Sequence, residues 1–76
     1  MTMTYKELQA AIKERPRDEI FYIVDQYVHS ERDRALIKRR LHDNISVERL
    51  AEEFDLSWRQ CTDLLKATQL IIFNHI

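Results

Sequence analysis

The chain has 76 residues, of which 45% are hydrophobic and 33% charged, with a formal net charge of −1, a single proline and no glycine. A chain this short forms one small domain with a thin stability margin, and the lack of glycine argues against tight hairpins and glycine-rich phosphate loops. The expected class is all-α, and the near-neutral charge excludes a general polycation for nucleic acid.

The sequence Thr4-Tyr5-Lys6-Glu7 has the Thr-x-x-Glu pattern of a capping box, and Tyr5, Leu8, Ala11 and Ile12 then fall on one helical stripe running to Glu14 or Arg15. Pro16 ends this helix. A second helix is expected from Arg17 or Asp18 to about His29, with Asp18 and Glu19 in a first turn where negative charge suits the dipole. Ile20, Phe21, Ile23, Val24, Tyr27 and Val28 cover more than one stripe of it, as in a central core helix or one with a partner on each side. Ser30 is placed to cap a third helix, Glu31 to His42, with Leu36, Ile37 and Leu41 on its buried side. Asp43 and Asn44 break it.

Two short helices then stand back to back. Val47, Leu50, Ala51 and Phe54 recur at the i, i+3, i+4, i+7 spacing, and Cys61, Leu64, Leu65 and Thr68 repeat it. Only Asp55, Leu56 and Ser57 lie between them, so the chain must turn sharply. Asp55 tolerates a left-handed backbone, Leu56 can plug the angle between the helices, and Ser57 can cap the next helix while Gln60 reaches back. Ala51 keeps the bulk low where the second helix crosses.

After Thr68 the cluster Leu70, Ile71, Ile72 and Phe73 is too apolar to hang free in water. Two readings follow: the fifth helix continues and closes the core against Tyr5, Leu8 and Ile12, or the tail is the contact of a homodimer. The organisation is one domain over 1–76. It holds an N-terminal helix pair (1–29), a three-helix unit (30–69, with the paired helices at 46–68) and an apolar C-terminal tail (70–76). No apolar run approaches the ~18 residues of a membrane span, and the Met1-Thr2-Met3-Thr4 start lacks a signal-peptide pattern. A cytoplasmic protein with no membrane contact is expected.

The paired helices resemble the helix-turn-helix of bacterial DNA-binding proteins, most closely the C-terminal promoter-reading domain of sigma factors. The resemblance covers Glu31 to about Lys66. It is carried by the Arg32-to-Leu41 helix, Ile45-Ser46, the Leu50-Ala51 pair and the Phe54-Asp55-Leu56-Ser57 turn. Two positions depart from the family's pattern: Asp55 stands where glycine is usual, and Cys61 where a β-branched residue is usually buried. The fold implied is a small five-helix bundle containing a helix-turn-helix and no wing. The function implied is sequence-specific binding of double-stranded DNA, as a small transcriptional regulator or a sigma-like accessory domain.

If Cys61, Leu64 and Leu65 face inward, Arg59, Gln60, Asp63 and Lys66 turn outward, with Trp58 and Thr62 at the edges of that face. The start of a recognition helix reaches base edges in the major groove. Arg59 then suits guanine, Gln60 adenine, and Thr62 a thymine methyl or a phosphate, while Lys66 serves as a phosphate contact. Lys38, Arg39 and Arg40 form the basic cluster that would clamp flanking phosphates. Each residue has a rival reading. Gln60 completes a cap, Arg59 pairs with a neighbouring acid, Trp58 packs at the core boundary, and the cluster matches its helix dipole.

From Ser30 to Gln69 basic and acidic residues are equal in number, so DNA binding requires the positive charge to gather on one side. That balance favours the alternative: a protein-interaction module that binds RNA polymerase or another protein through Trp58 and the apolar tail. Neither catalysis nor a cofactor is expected. His29, His42 and His75 lack metal-ligand spacing, and Cys61 has no second thiol. Ser46 and Ser57 stand at helix starts, as caps do. Glu48, Glu52, Glu53 and Asp55 read as a solvated face with local ion pairs to Arg49 and Arg59.

Overall fold

The structure is a computed structural model that describes residues 4–76, Tyr5 through its backbone alone; the Met1-Thr2-Met3 start and the expected packing of the Tyr5 side chain lie outside the described residues. Five helices follow one another: α1 (Tyr5–Lys13), α2 (Arg17–Tyr27), α3 (Glu31–Asp43), α4 (Val47–Glu53) and α5 (Trp58–Phe73). No strand occurs among the described residues, so the all-α class stands.

Each helix starts where local chemistry directs it, with one exception. Thr4 Oγ1 accepts from the Glu7 amide at 3.2 Å while Glu7 Oε1 accepts from the Thr4 amide at 3.4 Å, closing the capping box. Ser30 Oγ accepts from the Asp33 amide and Ser46 Oγ from the Arg49 amide, both at 3.3 Å. The exception is α2, whose N-cap Pro16 makes no side-chain hydrogen bond. Asn44 ends α3 in the left-handed region at φ 54°, which a short polar side chain tolerates.

The central helix is α5, and not α2 as the apolar density of α2 suggests. All four other helices pack on α5, whereas α2 meets α5 and α3. The reason is length. Cys61, Leu65, Thr68, Gln69 and Ile72 form one buried stripe along 16 residues, long enough to meet all four other helices. The α2 helix buries Ile20, Ile23 and Val24 and leaves Tyr22 and Tyr27 exposed, so it has an inner and an outer face. The segment from residue 70, read either as a continuation of the fifth helix or as a dimer contact, is the last turn of α5 and its exit. Ile72 there is fully buried, and α1, with Leu8 and Ile12 buried, packs along α5. The three helices α3, α4 and α5 pack pairwise on one another.

One buried residue breaks the apolar pattern. Gln69 is fully buried, and among the described residues neither Oε1 nor Nε2 has a hydrogen-bond partner. An unsatisfied buried amide costs about 1–3 kcal/mol, whereas an apolar side chain of similar size carries no such penalty. Gln69→Leu is therefore expected to raise the unfolding free energy by about 1–3 kcal/mol in urea titrations. A fall of that size would show that the amide is satisfied in solution.

Candidate nucleic-acid interface

The connection from α4 to α5 is built from two interlocking local motifs. Phe54 caps α4, and Asp55 then takes φ 54°, the left-handed turn that its short side chain permits. The Leu56 amide donates to the Ala51 carbonyl at 2.8 Å and the Asp55 amide to Glu52 at 3.3 Å. These are the two bonds of a Schellman ending, which satisfies carbonyls that the helix end leaves open. Directly afterwards Ser57 Oγ accepts from the Gln60 amide at 3.1 Å, and Gln60 Oε1 accepts from the Ser57 amide at 3.0 Å. Phe54 and Leu56 pack against the core, and Ala51 is buried beneath the turn. The direction of α5 is thus fixed within four residues of the end of α4.

This geometry makes Asp55 a sensitive position. Asp55→Gly is expected to stabilise the domain by about 0.5–1 kcal/mol, since glycine meets no Cβ clash in the left-handed region. Asp55→Val should cost about 1–2 kcal/mol for the opposite reason. Thermal melts of the two variants should fall on either side of the parent; a common shift would contradict the turn.

The first turns of α5 present the expected face. Cys61 and Leu65 are fully buried, while Arg59, Gln60, Asp63 and Lys66 are exposed and Thr62 is half-buried. Trp58 is 57% exposed, so the reading that packs it at the core boundary does not hold: the first residue of α5 lies at the rim of the bundle, with more than half of its surface open to solvent. Thr62 Oγ1 donates to the Trp58 carbonyl at 2.9 Å, and Gln60 is held by its cap. Arg59 and Lys66 make no side-chain hydrogen bond or ion pair among the described residues. Arg49 on α4 likewise makes no side-chain hydrogen bond or ion pair among them. The local pairs expected for Arg49 and Arg59 do not form among the described residues, and Glu53 pairs with a residue of another helix instead.

That residue is Arg39. Its Nη2 donates to Glu53 Oε1 at 2.6 Å, its Nε to Glu53 Oε2 at 3.2 Å and its Nη1 to Asp43 Oδ2 at 2.6 Å, tying α3 to the end of α4. Glu53 first and Asp43 second hold the Arg39 guanidinium above its ordinary pKa. Lys38 turns the other way, to Asp25 Oδ1 on α2 at 2.7 Å, with its Nζ 5.3 Å from the centre of the Phe21 ring. Arg40 donates to the Ile45 carbonyl in the α3–α4 turn. The third-helix cluster therefore fans out into contacts within the chain. The sequence pattern assigns these cations to phosphate because partners 13 and 14 residues away do not show in a local pattern.

The remaining chemistry-bearing residues do not converge. Burial pushes the Cys61 thiol pKa up, with Arg40 acting weakly against it, so the sulfur stays protonated and unreactive. His75 stacks on Tyr27 at 3.6 Å between ring centroids, and His42 accepts from Arg17. Among the described residues no group of His, Cys, Asp and Glu is arranged to hold a metal ion. No helix among the described residues is long and apolar enough to cross a membrane. Compared with protein-family models, with curated proteins and with solved structures, the chain finds no match.

Proposed function

We propose that this chain binds double-stranded DNA by setting the start of α5 into the major groove, as a small transcriptional regulator or a sigma-like accessory domain. The observation that carries this reading is the rigid α4–α5 turn, which holds an exposed helix start with a free Arg59 clear of the bundle. Arg59 is the base reader, suited to the two acceptors on a guanine edge. Thr62 lies one turn on from Trp58 along the same face. Gln60 acts first as a cap, since its Oε1 already holds the Ser57 amide, and only its Nε2 is left to donate to a base. Lys66 and Arg49 neutralise phosphates, and Lys38 and Arg39 support the scaffold through their carboxylate partners.

With three free cations on the two helices, binding is modest and its salt dependence shallow, with log K falling against log salt at a slope of roughly −3. Selection from a random-sequence duplex pool at low and at moderate salt tests the proposal. An enriched sequence with that slope is expected; no enrichment at either salt would remove it. A second reading is favoured by the 57% exposure of Trp58 and the pairing of Lys38 and Arg39: the same face docks on a protein of the transcription machinery, such as RNA polymerase. Failure of the selection together with binding to purified polymerase that Trp58→Ala abolishes would establish that alternative.

A further inference from the structure

Where the end of α1, the start of α2 and the end of α3 meet, the surface opens into a cavity of about 300 Å³. Its apolar lining is Ile12, Ile20, Phe21 and Leu41, and its polar lining is Lys13, Arg15, Arg17 and His42. No carboxylate lines it. Of the acids beside it in the sequence, Glu14 and Asp18 are exposed to solvent, Glu19 pairs with Arg15 at 3.7 Å, and Asp43 pairs with Arg39 and lies 3.8 Å from His42 Nε2. Lys13 has no ion-pair partner among the described residues. Arg17 donates to His42 Nδ1, which ties the start of α2 to the end of α3 at the cavity wall. The α2 helix begins here without a side-chain cap, so its positive end adds to the field of these side chains, although Asp18 and Glu19 in its first turn offset part of it.

We infer that this cavity binds a small organic acid, with the carboxylate among Lys13, Arg15 and Arg17 and the apolar body on Ile20, Phe21 and Leu41. Charge complementarity selects an anion, and the apolar lining selects one with a hydrocarbon or aromatic body over a bare inorganic ion. The volume lies at the small end of the range for ligand pockets, which suits a short-chain acid. The phosphate backbone of DNA does not fit this description, since it offers charge without an apolar body. None of these residues belongs to the DNA-reading face, so the inference stands or falls independently of the proposed function. An occupant would touch α1, α2 and α3 together, three of the four helices that pack on α5.

The test is a titration of the full chain, followed by backbone amide resonances, with octanoate, octanol and inorganic phosphate as separate probes. Octanoate is expected to shift Ile20, Phe21 and Leu41 saturably, with octanol and phosphate each at least about tenfold weaker. Lys13→Gln and Arg17→Gln, on exposed side chains, should each weaken octanoate roughly tenfold while thermal melts stay near the parent. Octanol or phosphate binding as well as octanoate would overturn the assignment, as would no octanoate shift at these residues. A peptide carrying Asp beside Leu and Phe that binds there more than about tenfold tighter than octanoate would transfer the site to a protein partner.

Discussion

Leu65→Ala is expected to lower the unfolding free energy by about 2–5 kcal/mol, the largest effect of any single substitution considered. Leu65 is fully buried on α5, the helix against which all four others pack. Removing its side chain leaves a cavity at a point that several helices share, and the bundle cannot close it by moving one of them. A domain of this size has a stability on the order of 4–11 kcal/mol, so the substitution removes a large share of it. Urea titrations followed by helical circular dichroism give the number. Lys66→Ala, one residue on and exposed, should stay within about 0.5 kcal/mol of the parent. A loss under about 1 kcal/mol for Leu65→Ala would mean that α5 is not the element on which the core is built.

Arg59→Ala is expected to weaken binding to the selected duplex by about tenfold to a hundredfold and to relax the preference at one base pair. The guanidinium is free of internal partners and stands on the first turn of α5, so its removal deletes a contact without disturbing the fold. Lys66→Gln should act differently. It should weaken all duplexes alike and reduce the salt slope by about one. Trp58→Ala separates the two functional readings: an exposed tryptophan at a protein interface typically contributes about 2 kcal/mol or more, whereas beside a phosphate backbone its loss is milder. Affinities of the variants, measured at two salt concentrations against one duplex and one scrambled control, decide among these outcomes.

Features written within three or four residues are legible in the amino-acid sequence. Thr4 with Glu7, Ser30, Ser46, and Ser57 with Gln60 cap the helices that their spacing predicts, and Asp55 takes the left-handed turn. Such features depend on neighbours along the chain, and the chain states its neighbours. Contacts between distant segments are not legible in the same way. The apolar density of α2 points to a central helix, yet the centre is α5, because only the assembled bundle shows which helix the other four surround. The burial of Gln69 gives no signal, since a lone polar residue beside apolar ones reads as an outward position. Lys38 and Arg39 look like a phosphate clamp for the same reason: Asp25 and Glu53 reach them only through tertiary packing. Within the candidate interface, the exposure of Arg59 and Lys66 follows from the inward spacing of Cys61 and Leu65. The solvent exposure of Trp58 does not, because a position at the rim is decided by what happens to lie beside it.

Amide chemical-shift mapping of the full chain with the duplex enriched by selection puts the DNA-reading face to the most direct trial. The expected outcome is a continuous patch of shifts over Trp58, Arg59, Gln60, Thr62 and Lys66, extending to Arg49 and fading as salt rises, with α2 silent. Shifts centred on α2 or on the exit of α5, or none at a duplex concentration where the selected sequence is retained, would contradict the account.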